Sequence, residues 1–318
     1  MKKFISLLLA FTMTAACLVG CGGKEEPKAD APAAAESADA TFVIGGIGPI
    51  TGGAAIYGQA VKNAAELAVA EVNAAGGING YQVEFIWGDD EHDAEKAVNA
   101  YNDLKDQGMQ MLLGTVTSTP CIAVADKAAE DNMFLLTPSG SAVDCVANDN
   151  AFRVCFSDPN QGTASAQYIG ENGLATKVAV IYDSSDVYSS GIYETFAAEA
   201  KNQAFEIVVA EAFTADNKTD FSVQVQKAKD AGAELVFLPI YYQEASLILN
   251  EADKQAYDAK FFGCDGLDGI LSVEGFDTAL AEGVMLLTPF AADAQDDLTK
   301  KFVATYAEKF NGEVPMQF

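Results

Sequence analysis

GPITGGAAIYG (48–58) follows the apolar run TFVIGGI and precedes a long Ala-rich segment. This order predicts a strand, a glycine turn and then a helix. Such turns can bind phosphate, because unpaired backbone N–H groups point outwards and the helix dipole favours negative charge. Neither phosphate motif fits, however. A dinucleotide-binding G-x-G-x-x-G fingerprint that starts at Gly46 has Thr51 where the third glycine belongs. A P-loop that starts at Gly48 has Ala54 where the lysine belongs. The turn therefore either holds a ligand other than a nucleotide or only reverses the chain.

The same alternation of apolar runs and helical patterns continues along the chain. Helical segments such as VKNAAELAVAEVNAAGG (61–77) and FSVQVQKAKDAGA (221–233) end at or beside glycines, which suit helix C-termini. The runs that favour strands are TFVIGGI, YQVEFIW, MQMLLGT, NMFLLT, KVAVIYD, FEIVVAEAF, ELVFLPIY, AKFFGC and VMLLTPF. Strands that alternate with helices of this length predict parallel sheets built from right-handed βαβ units, and hence an α/β fold.

Two segments break this rhythm and divide the chain into two lobes. FRVCFSDPNQG (152–162) contains a strand, a turn and a new helix start, and TPFAAD (288–293) precedes the helix DLTKKFVATYAEKF. We interpret both as crossings between lobes, which makes a cleft with a hinge. The predicted architecture is two doubly wound, Rossmann-like lobes, with residues 41–156 and 290–318 in the first and residues 157–289 in the second.

The N-terminal segment MKKFISLLLAFTMTAACLVGC is typical of a secretory signal. It has two lysines, an apolar stretch too short to span a bilayer comfortably, and small residues before Cys21. LVGC resembles the lipobox of bacterial lipoproteins, so we expect residues 1–20 to be removed and Cys21 to carry lipid; a plain signal peptide is the alternative. Residues 21–40 predict a disordered tether. The expected location is extracytoplasmic, with a lipid anchor in the bacterial cell membrane.

Composition and charge narrow the range of partners. The 318 residues are 50% hydrophobic, enough for one large core or two lobes, and the formal net charge is −27. Such an acidic surface disfavours nucleic acid and anionic lipid headgroups as partners. Apart from Cys17 and Cys21, four cysteines remain, of which Cys145 and Cys155 bracket a turn-rich segment. These two either form a disulfide or stay free and buried, because nothing in the spacing forces the bond.

Hydroxyl side chains follow the predicted strands of the first lobe, in TVTSTP (115–120) and TPSGS (137–141). Ligands of open α/β sheets bind beyond the carboxyl ends of the strands, so these residues are candidates for a binding site. Helix capping is the alternative; Thr119, for example, is placed to cap a helix with Pro120 in its first turn. The only arginine of the chain, Arg153, lies in the FRVCF crossing. An anion at the strand ends must therefore be held by hydroxyls and helix-start N–H groups.

The second lobe places aromatic and acidic residues at equivalent strand ends. Tyr188 follows one strand, Tyr241 and Tyr242 follow another, and CDGLDG (264–269) follows AKFFG. Helix capping does not explain why the second lobe has aromatic and acidic residues at the places where the first lobe has hydroxyls. A site between the lobes would combine hydroxyls from one side with rings and an acid from the other.

Four stretches together resemble one known family. GPITGGAAIYG, NAAGGINGYQVEF, FRVCFSDPNQG and DFSVQVQKAKDAGAELVFLPIYYQEASLILNEA are similar to the leucine/isoleucine/valine-binding proteins of bacterial ABC importers, which have the type I periplasmic-binding-protein fold. The likeness runs from about Thr41 to the last residue. It implies a substrate-binding lipoprotein that captures a free amino acid, first of all a branched-chain one, and delivers it to ABC permease and ATPase subunits. No cofactor is implied.

The resemblance also implies roles for individual residues. In that family a serine and helix-start N–H groups of the first lobe hold the ligand's α-carboxylate, and backbone oxygens with an acid of the second lobe hold its ammonium. Matched motif by motif, the ligand contacts implied here are Tyr57, Ser118, Ser139, Ser141, Tyr188, Tyr241 and Asp265. Ser118 corresponds to the carboxylate-binding serine, Ser139 and Ser141 to the residues beside the ammonium and carboxylate, and Asp265 to the acid. For Tyr57 we expect a wall over a small ligand, beside a backbone that glycines bring close to it.

The sequence gives little indication of a metal site or of catalytic residues. WGDDEHDAEKA (87–97) gathers acids around His92, but acids in the first turn of a helix commonly form a solvated cap. His92 is the sole histidine, so a Ser-His-Asp or Cys-His enzyme would have to use this acid-flanked residue, which the pattern places at the surface. The sequence therefore predicts a binding protein without catalytic residues and without a metal.

The sequence departs from the family in two ways, which leave the identity of the ligand and the end of the chain undetermined. Family members continue beyond a motif like GEVPMQF, so we expect the C-terminal end to be missing after Phe318. The acid is Asp265 where the family has glutamate, and the pocket residues do not specify one ligand. Amides, urea and aromatic acids are alternatives to a branched-chain amino acid. A sensory lipoprotein with the same ligand is the alternative to an importer receptor.

Overall fold

Strands and helices alternate throughout the described part of the chain. The structure is a computed structural model that describes residues 41–318; the predicted signal peptide, Cys21 and the tether lie outside the described residues. The strands are β1 (Thr41–Gly48), β2 (Gln82–Asp89), β3 (Met111–Gly114), β4 (Leu135–Thr137), β5 (Ala151–Arg153), β6 (Lys177–Asp183), β7 (Glu206–Phe213), β8 (Leu235–Leu238), β9 (Lys260–Gly263) and β10 (Met285–Leu286). The helices are α1 (Ala55–Ala74), α2 (Ala94–Asp106), α3 (Ser118–Glu130), α4 (Asp158–Glu171), α5 (Val187–Ala200), α6 (Ser222–Asp230), α7 (Tyr242–Lys254) and α8 (Asp297–Lys309). Among these helices of residues 41–318, none combines the length and the apolar character needed to cross a membrane.

The strands form two five-stranded parallel sheets. The first lobe contains the sheet β2-β1-β3-β4-β5 with helices α1–α3, and the second lobe contains the sheet β10-β9-β8-β6-β7 with helices α4–α7. The four residues of β8 are all buried, as expected for a central strand covered by helices on both faces. This arrangement confirms the predicted α/β fold of two parallel-sheet lobes. The predicted strand VMLLTPF is reduced to the two residues of β10, which pairs with β9 at the edge of the sheet.

Local capping signals fix the helices that start at the cleft. Asp186 is the N-cap of α5 and accepts a hydrogen bond from the backbone N–H of Tyr188. Ser157 is the N-cap of α4, whose first turn contains Pro159. At both helix starts, a short polar side chain therefore accepts a hydrogen bond from a backbone N–H group that has no partner within the helix.

The helix after β3 begins earlier than the sequence predicted. α3 starts at Ser118 with Thr117 as its N-cap, so the prediction that Thr119 caps this helix is wrong. Thr119 already lies within the first turn, and its hydroxyl donates instead to Asp186 Oδ1 of the second lobe at 3.3 Å. The first N–H groups of α3, which have no intrahelical partners, consequently lie just beyond the carboxyl end of β3.

Apolar clusters hold each lobe and also join the two. One cluster surrounds Leu112 in the first lobe, and another surrounds Phe237 in the second. A third contains Tyr57 and Val116 of the first lobe together with Leu267 of the second. The lobes therefore share buried apolar surface at the cleft in addition to the segments that connect them.

After β10 the chain returns to the first lobe and then to the cleft. α8 packs against α1, where Asn63 Nδ2 donates to the hydroxyl of Tyr306 at 3.1 Å. Beyond α8, the backbone N–H of Gln317 donates to Asp268 Oδ2 of the second lobe at 3.0 Å. This contact places Phe318 between the lobes.

The cysteines within residues 41–318 are free thiols. Cys121, Cys145 and Cys264 are buried, and Cys155 is partly buried. The Cys145–Cys155 disulfide that the sequence left open is therefore not formed, and the alternative of free thiols holds.

Candidate functional site

A small cavity lies between the two lobes, beyond the carboxyl ends of both sheets. Its volume in this conformation is about 10 Å³, room for about one water molecule. The residues that line it are Val116, Thr117, Ser118, Ser139, Ser141, Tyr188, Tyr241, Asp265 and Phe318. The structure thus brings together all the residues that the sequence predicted as ligand contacts, except Tyr57.

The hydroxyls of Ser118 and Ser139 belong to the first-lobe wall and are held by the backbone. Ser118 Oγ accepts from the N–H of Ala142 at 3.1 Å, and Ser139 Oγ donates to the carbonyl of Val116 at 2.6 Å. Both serines are buried. The first-turn N–H groups of α3 lie at the same wall, because α3 starts at Ser118. A hydroxyl and helix-start N–H groups can together bind a carboxylate without a cationic side chain.

Asp265 supplies the negative charge of the second-lobe wall. It follows β9, is 1% exposed, and its Oδ1 accepts a hydrogen bond from the hydroxyl of Tyr188 at 2.6 Å. Burial raises the pKa of Asp265 to about 6, although the hydrogen bond from Tyr188 acts in the opposite direction. A cation placed in the cavity would favour the ionised carboxylate and lower this pKa.

Tyr188 and Tyr241 form an aromatic surface beside Asp265. Their rings stack with centroids 4.9 Å apart and an interplanar angle of 6°. Gly266 lets the Tyr188 hydroxyl approach: its N–H donates to that oxygen at 2.9 Å, and a methyl group on Gly266 would come within 2.7 Å of the same atom. Glycine is therefore needed at position 266 for close packing against Tyr188.

Tyr57 lies outside the cavity and connects the lobes instead. It is fully buried, and its hydroxyl donates to the carbonyl of Gly266 at 2.5 Å and accepts from the N–H of Tyr242 at 3.4 Å. The ring of Phe318 stacks on Tyr57 at 3.9 Å and contributes to the cavity wall in its place. The glycine turn before α1 thus positions a contact between the lobes.

Sequence reasoning missed three other lining residues. Val116 and Thr117 lie within TVTSTP beside Ser118, so their position after β3 was an available signal. Phe318 had no local signal, because contacts with residues far away along the chain, such as that of the Gln317 N–H with Asp268, bring it to the cleft.

Asp158 is a buried carboxyl group near this site that the sequence pattern did not single out. It is 1% exposed, and burial raises its pKa to about 8. Neither carboxyl oxygen has a hydrogen-bond partner among residues 41–318. In the segment SDPNQG an aspartate at a helix start suggests a solvated residue, whereas the tertiary structure covers this one.

His92 faces a second cavity behind Tyr241. This cavity has a volume of about 180 Å³, and Tyr241 lines both cavities. His92 Nδ1 lies 2.8 Å from Thr117 Oγ1, and its ring meets the ring of Tyr241 edge-on at 5.4 Å. Burial lowers the pKa of His92, and the nearby Lys218 lowers it further. The prediction that His92 lies at the open surface is therefore wrong, because the second lobe covers its ring.

The acids around His92 have separate structural roles. Asp93 caps α2 by accepting from the N–H of Lys96 at 2.9 Å, which confirms the capping interpretation for this residue. Asp89 accepts hydrogen bonds from the glycine turn that follows β1. Asp90, by contrast, is fully buried, and burial raises its pKa to about 7. Within residues 41–318, acidic, histidine and cysteine side chains form no group suited to holding a metal ion.

Comparison with protein families gives a match over the whole described part of the chain. A family model described as "Periplasmic binding protein" matches residues 41–318. The Leu/Ile/Val-binding protein homolog 3 of Brucella melitensis is 34% identical over 235 residues, which are 73% of this chain and 63% of that protein. The aligned part of the chain thus spans less than two thirds of this relative's length.

Solved structures give the same architecture. The branched-chain amino acid transporter substrate binding protein LivJ from Streptococcus pneumoniae, in complex with isoleucine, superposes with a TM-score of 0.82 and 30% identity, covering 87% of this chain and 79% of that one. The leucine binding protein LivK from Thermotoga maritima gives 0.78 and 26%, covering 87% and 78%. The two parallel-sheet lobes are therefore shared with both proteins.

Proposed function

This chain belongs to the periplasmic binding protein family, and from that membership we propose that it captures a free amino acid between its lobes and delivers it to an ABC importer. The opposite character of the two cavity walls carries the proposal. Ser118 Oγ accepts from a backbone N–H, so its hydrogen is free to donate to an anion, while Asp265 offers a negative charge to a cation. An α-amino acid carries both groups on one carbon and so complements both walls.

The apolar part of the lining favours an aliphatic ligand side chain. Val116 and the ring of Phe318 line the cavity, so they would contact the side chain of a ligand bound there. The relatives named above are described as binding leucine, isoleucine or valine, which supports the same choice. We therefore expect these three amino acids to bind in preference to charged or large aromatic ones.

We propose binding without chemical conversion of the ligand. His92 is the sole histidine of the chain and is not among the residues that line this cavity. The serines of the wall consequently have no histidine base at the site, and hydrogen bonds from the hydroxyls have a positioning role. The solute-binding relatives support a role as a receptor.

A lipid anchor at Cys21 is part of the proposal, together with an extracytoplasmic location and ABC permease and ATPase partners. Lipid on Cys21 and the tether of residues 21–40 would let the two lobes reach the importer. Cys21→Ser should be secreted without lipid and should leave the membrane fraction. Retention of this variant on washed membranes would contradict the anchor and leave the ligand proposal intact.

The ligand proposal is tested by thermal unfolding and calorimetric titration of the purified protein. Leucine, isoleucine and valine are compared with 4-methylpentanoate, which lacks the amino group of leucine, and with 3-methylbutylamine, which lacks its carboxylate. A ligand at 100 times its Kd adds about 2.7 kcal/mol to the free energy of unfolding. We expect at least one amino acid to stabilise the protein, and each analogue to fail at the same concentration.

Each result has a clear consequence. If no amino acid stabilises the protein, the receptor proposal is wrong. If an amino acid and its analogue without the amino group bind equally well, Asp265 does not hold an ammonium, and an organic acid is the ligand.

A further inference from the structure

Asp158 is the first residue of α4, and it is a buried carboxyl group at a helix start. Its carboxyl group is 1% exposed, and neither oxygen has a hydrogen-bond partner within residues 41–318. α5 covers one side, since a methyl group on Gly191 would lie 3.6 Å from Asp158 Cβ. A buried carboxyl group without partners costs free energy, so its presence calls for a partner in the working state of the protein.

Ser141 lies beside Asp158 and also has a buried polar group without a hydrogen-bond partner among the described residues. The backbone N–H of Asp158 donates to the carbonyl of Ser141 at 2.9 Å, which fixes the two residues side by side. The Ser141 hydroxyl lines the cavity, and its residue is 1% exposed. Like the Asp158 carboxyl, it has no hydrogen-bond partner among the described residues. The pKa of Asp158 reflects both influences: burial raises it, and the hydroxyl of Ser141 lowers it.

The position of Arg153 makes this pair more rigid. Its Nη1 donates to the carbonyls of Ser141 and Ala142, at 2.9 Å each. The peptide that carries Ser141 is therefore held from two sides, by Asp158 and by Arg153. With the backbone fixed, the χ1 rotamer and the direction of the hydroxyl hydrogen are the remaining freedoms of Ser141 on the cavity wall.

An ammonium ligand constrains that hydrogen. A serine hydroxyl has one hydrogen and two lone pairs, whereas an ammonium group only donates. To bind an ammonium, Ser141 must turn a lone pair towards it and direct its own hydrogen elsewhere. The hydrogen then needs an acceptor on the side away from the ligand.

We propose that Asp158 is this acceptor and acts as a positioning residue. Its carboxyl group takes the hydroxyl hydrogen of Ser141, which leaves a lone pair of Ser141 Oγ directed at the ligand's amino group. The inference rests on the proposed function, because it assigns a part in holding the amino group of an amino acid. Asp158 itself does not touch the ligand.

A double-mutant cycle on leucine affinity tests the assignment. Asp158→Leu keeps the approximate shape and removes the acceptor, so it should weaken leucine binding about 5- to 10-fold. In the Ser141→Ala background the same change should cost less than about twofold, because there is no hydroxyl left to position. The melting temperature of Asp158→Leu should rise, since a buried carboxyl without partners is replaced by an apolar group.

Three controls separate positioning from a structural role. Asp158→Asn keeps an acceptor oxygen and should restore affinity to within about threefold of wild type. Asp297→Leu changes the matching first residue of α8, which is exposed, and should leave affinity unchanged. At concentrations raised until weak binding is measurable, 4-methylpentanoate, which has no amino group, should bind wild type and Asp158→Leu with the same affinity. If Asp158→Leu does not fold, Asp158→Ala takes its place in the cycle.

The outcomes distinguish this inference from the proposed function. Equal losses from Asp158→Leu in both backgrounds, or no loss in either, would overturn the positioning role while wild type still binds leucine. An Asn variant as weak as the Leu variant would also overturn it. If wild type binds no amino acid, the proposed function fails, and the positioning role fails with it.

Discussion

The two walls of the cavity differ in how their polar groups are held. In the first lobe, Ser118 and Ser139 are hydrogen-bonded to backbone groups of their own lobe, at 3.1 Å and 2.6 Å. In the second lobe, Asp265 accepts a hydrogen bond from Tyr188, yet burial still raises its pKa to about 6. The first wall is thus neutral and preorganised, whereas the second contains an acid that is strained by burial. A ligand that pairs with both gains most from the second.

This difference predicts unequal effects of mutation. A carboxylate at the first wall would share several donors, namely a hydroxyl and the N–H groups at the start of α3, so losing one leaves others. An ammonium at the second wall would depend on a single charge, that of Asp265. Removing one partner of a buried charge pair is costly, because the other charge is then left uncompensated.

Asp265→Ala should give the largest effect. Breaking a buried, hydrogen-bonded charge pair costs about 2–5 kcal/mol, so affinity for the bound amino acid should fall about 30-fold or more. Asp265→Asn keeps the shape without the charge and should fall between wild type and the Ala variant. Calorimetric titration measures both. A loss of less than about threefold for Asp265→Ala would mean that the ammonium is held elsewhere.

The matched control is Asp258→Ala, which removes an exposed acid from the same lobe. It should leave affinity unchanged if Asp265 acts locally. Asp268 is not a neutral control, although it belongs to the same CDGLDG segment. Its Oδ2 accepts from the N–H of Gln317 and so helps to hold Phe318 at the cavity.

Ser118→Ala tests the preorganised wall and should have the next largest effect. A hydrogen bond to a charged group contributes about 1.5–3 kcal/mol, so affinity should fall roughly 10- to 100-fold, less than for Asp265→Ala. Ser222→Ala, at the equivalent first residue of α6, is the control. If Ser118→Ala lowered affinity as much as Asp265→Ala, the proposal that the second-lobe wall contributes more to affinity than the first would be wrong.

The pH dependence of binding tests the role of Asp265 in the second-lobe wall. Burial raises the pKa of Asp265 to about 6 in the protein without ligand, and a bound ammonium should lower it. Below pH about 6 the free protein therefore holds a proton that binding must release, so affinity falls as pH falls. With that pKa we expect affinity at pH 5 to be about tenfold below that at pH 7.5.

Asp265→Asn should lose this dependence, since it has no proton to release at that position. Calorimetry of wild type and variant across the same pH range gives the comparison. A wild-type profile that is flat, or that rises towards pH 5, would contradict the raised pKa of Asp265 as the cause.

Tyr57→Phe should give the smallest effect, because its hydroxyl connects the two lobes and Tyr57 is not among the residues that line the cavity. The change removes the hydrogen bond to Gly266 across the cleft and keeps the ring that stacks on Phe318. If binding requires the lobes to close, losing about 0.5–1.5 kcal/mol from the closed form should weaken binding about 2- to 10-fold. Small-angle scattering should show a larger radius of gyration for the variant at subsaturating ligand.

Tyr101→Phe is the control for Tyr57→Phe. Tyr101 is also buried, but its hydroxyl donates to Asp131 within the first lobe. It should lower stability without changing affinity. Equal effects of the two variants on affinity would contradict a role for Tyr57 in holding the lobes together.

The fold could be predicted largely from sequence, because its signals are local. β-branched runs alternating with capped, periodic helices indicate βαβ units wherever they occur. The same holds for the cavity walls: Ser118, Ser139 and Asp265 lie directly after strands, and the carboxyl ends of parallel strands meet at one edge of a sheet. Each position could therefore be assigned from a short segment.

Other features of the site depend on which element of the other lobe covers a residue, and this is not encoded locally. Tyr57 lies beside a glycine turn and was expected at the ligand, but Phe318 takes that place. His92 and Asp158 lie in segments that are typical of exposed loops and helix starts, yet tertiary packing partly covers His92 and buries Asp158.

The sequence by itself thus determined the α/β architecture, the hydroxyls at one set of strand ends and the acid at the other. The tertiary structure alone decided that Asp265 is almost fully buried, that Asp158 lies beside Ser141, and that Tyr57 bonds across the cleft. The reason is physical: propensity and periodicity act over a few residues, whereas burial and the pKa of an acid depend on neighbours far away along the chain.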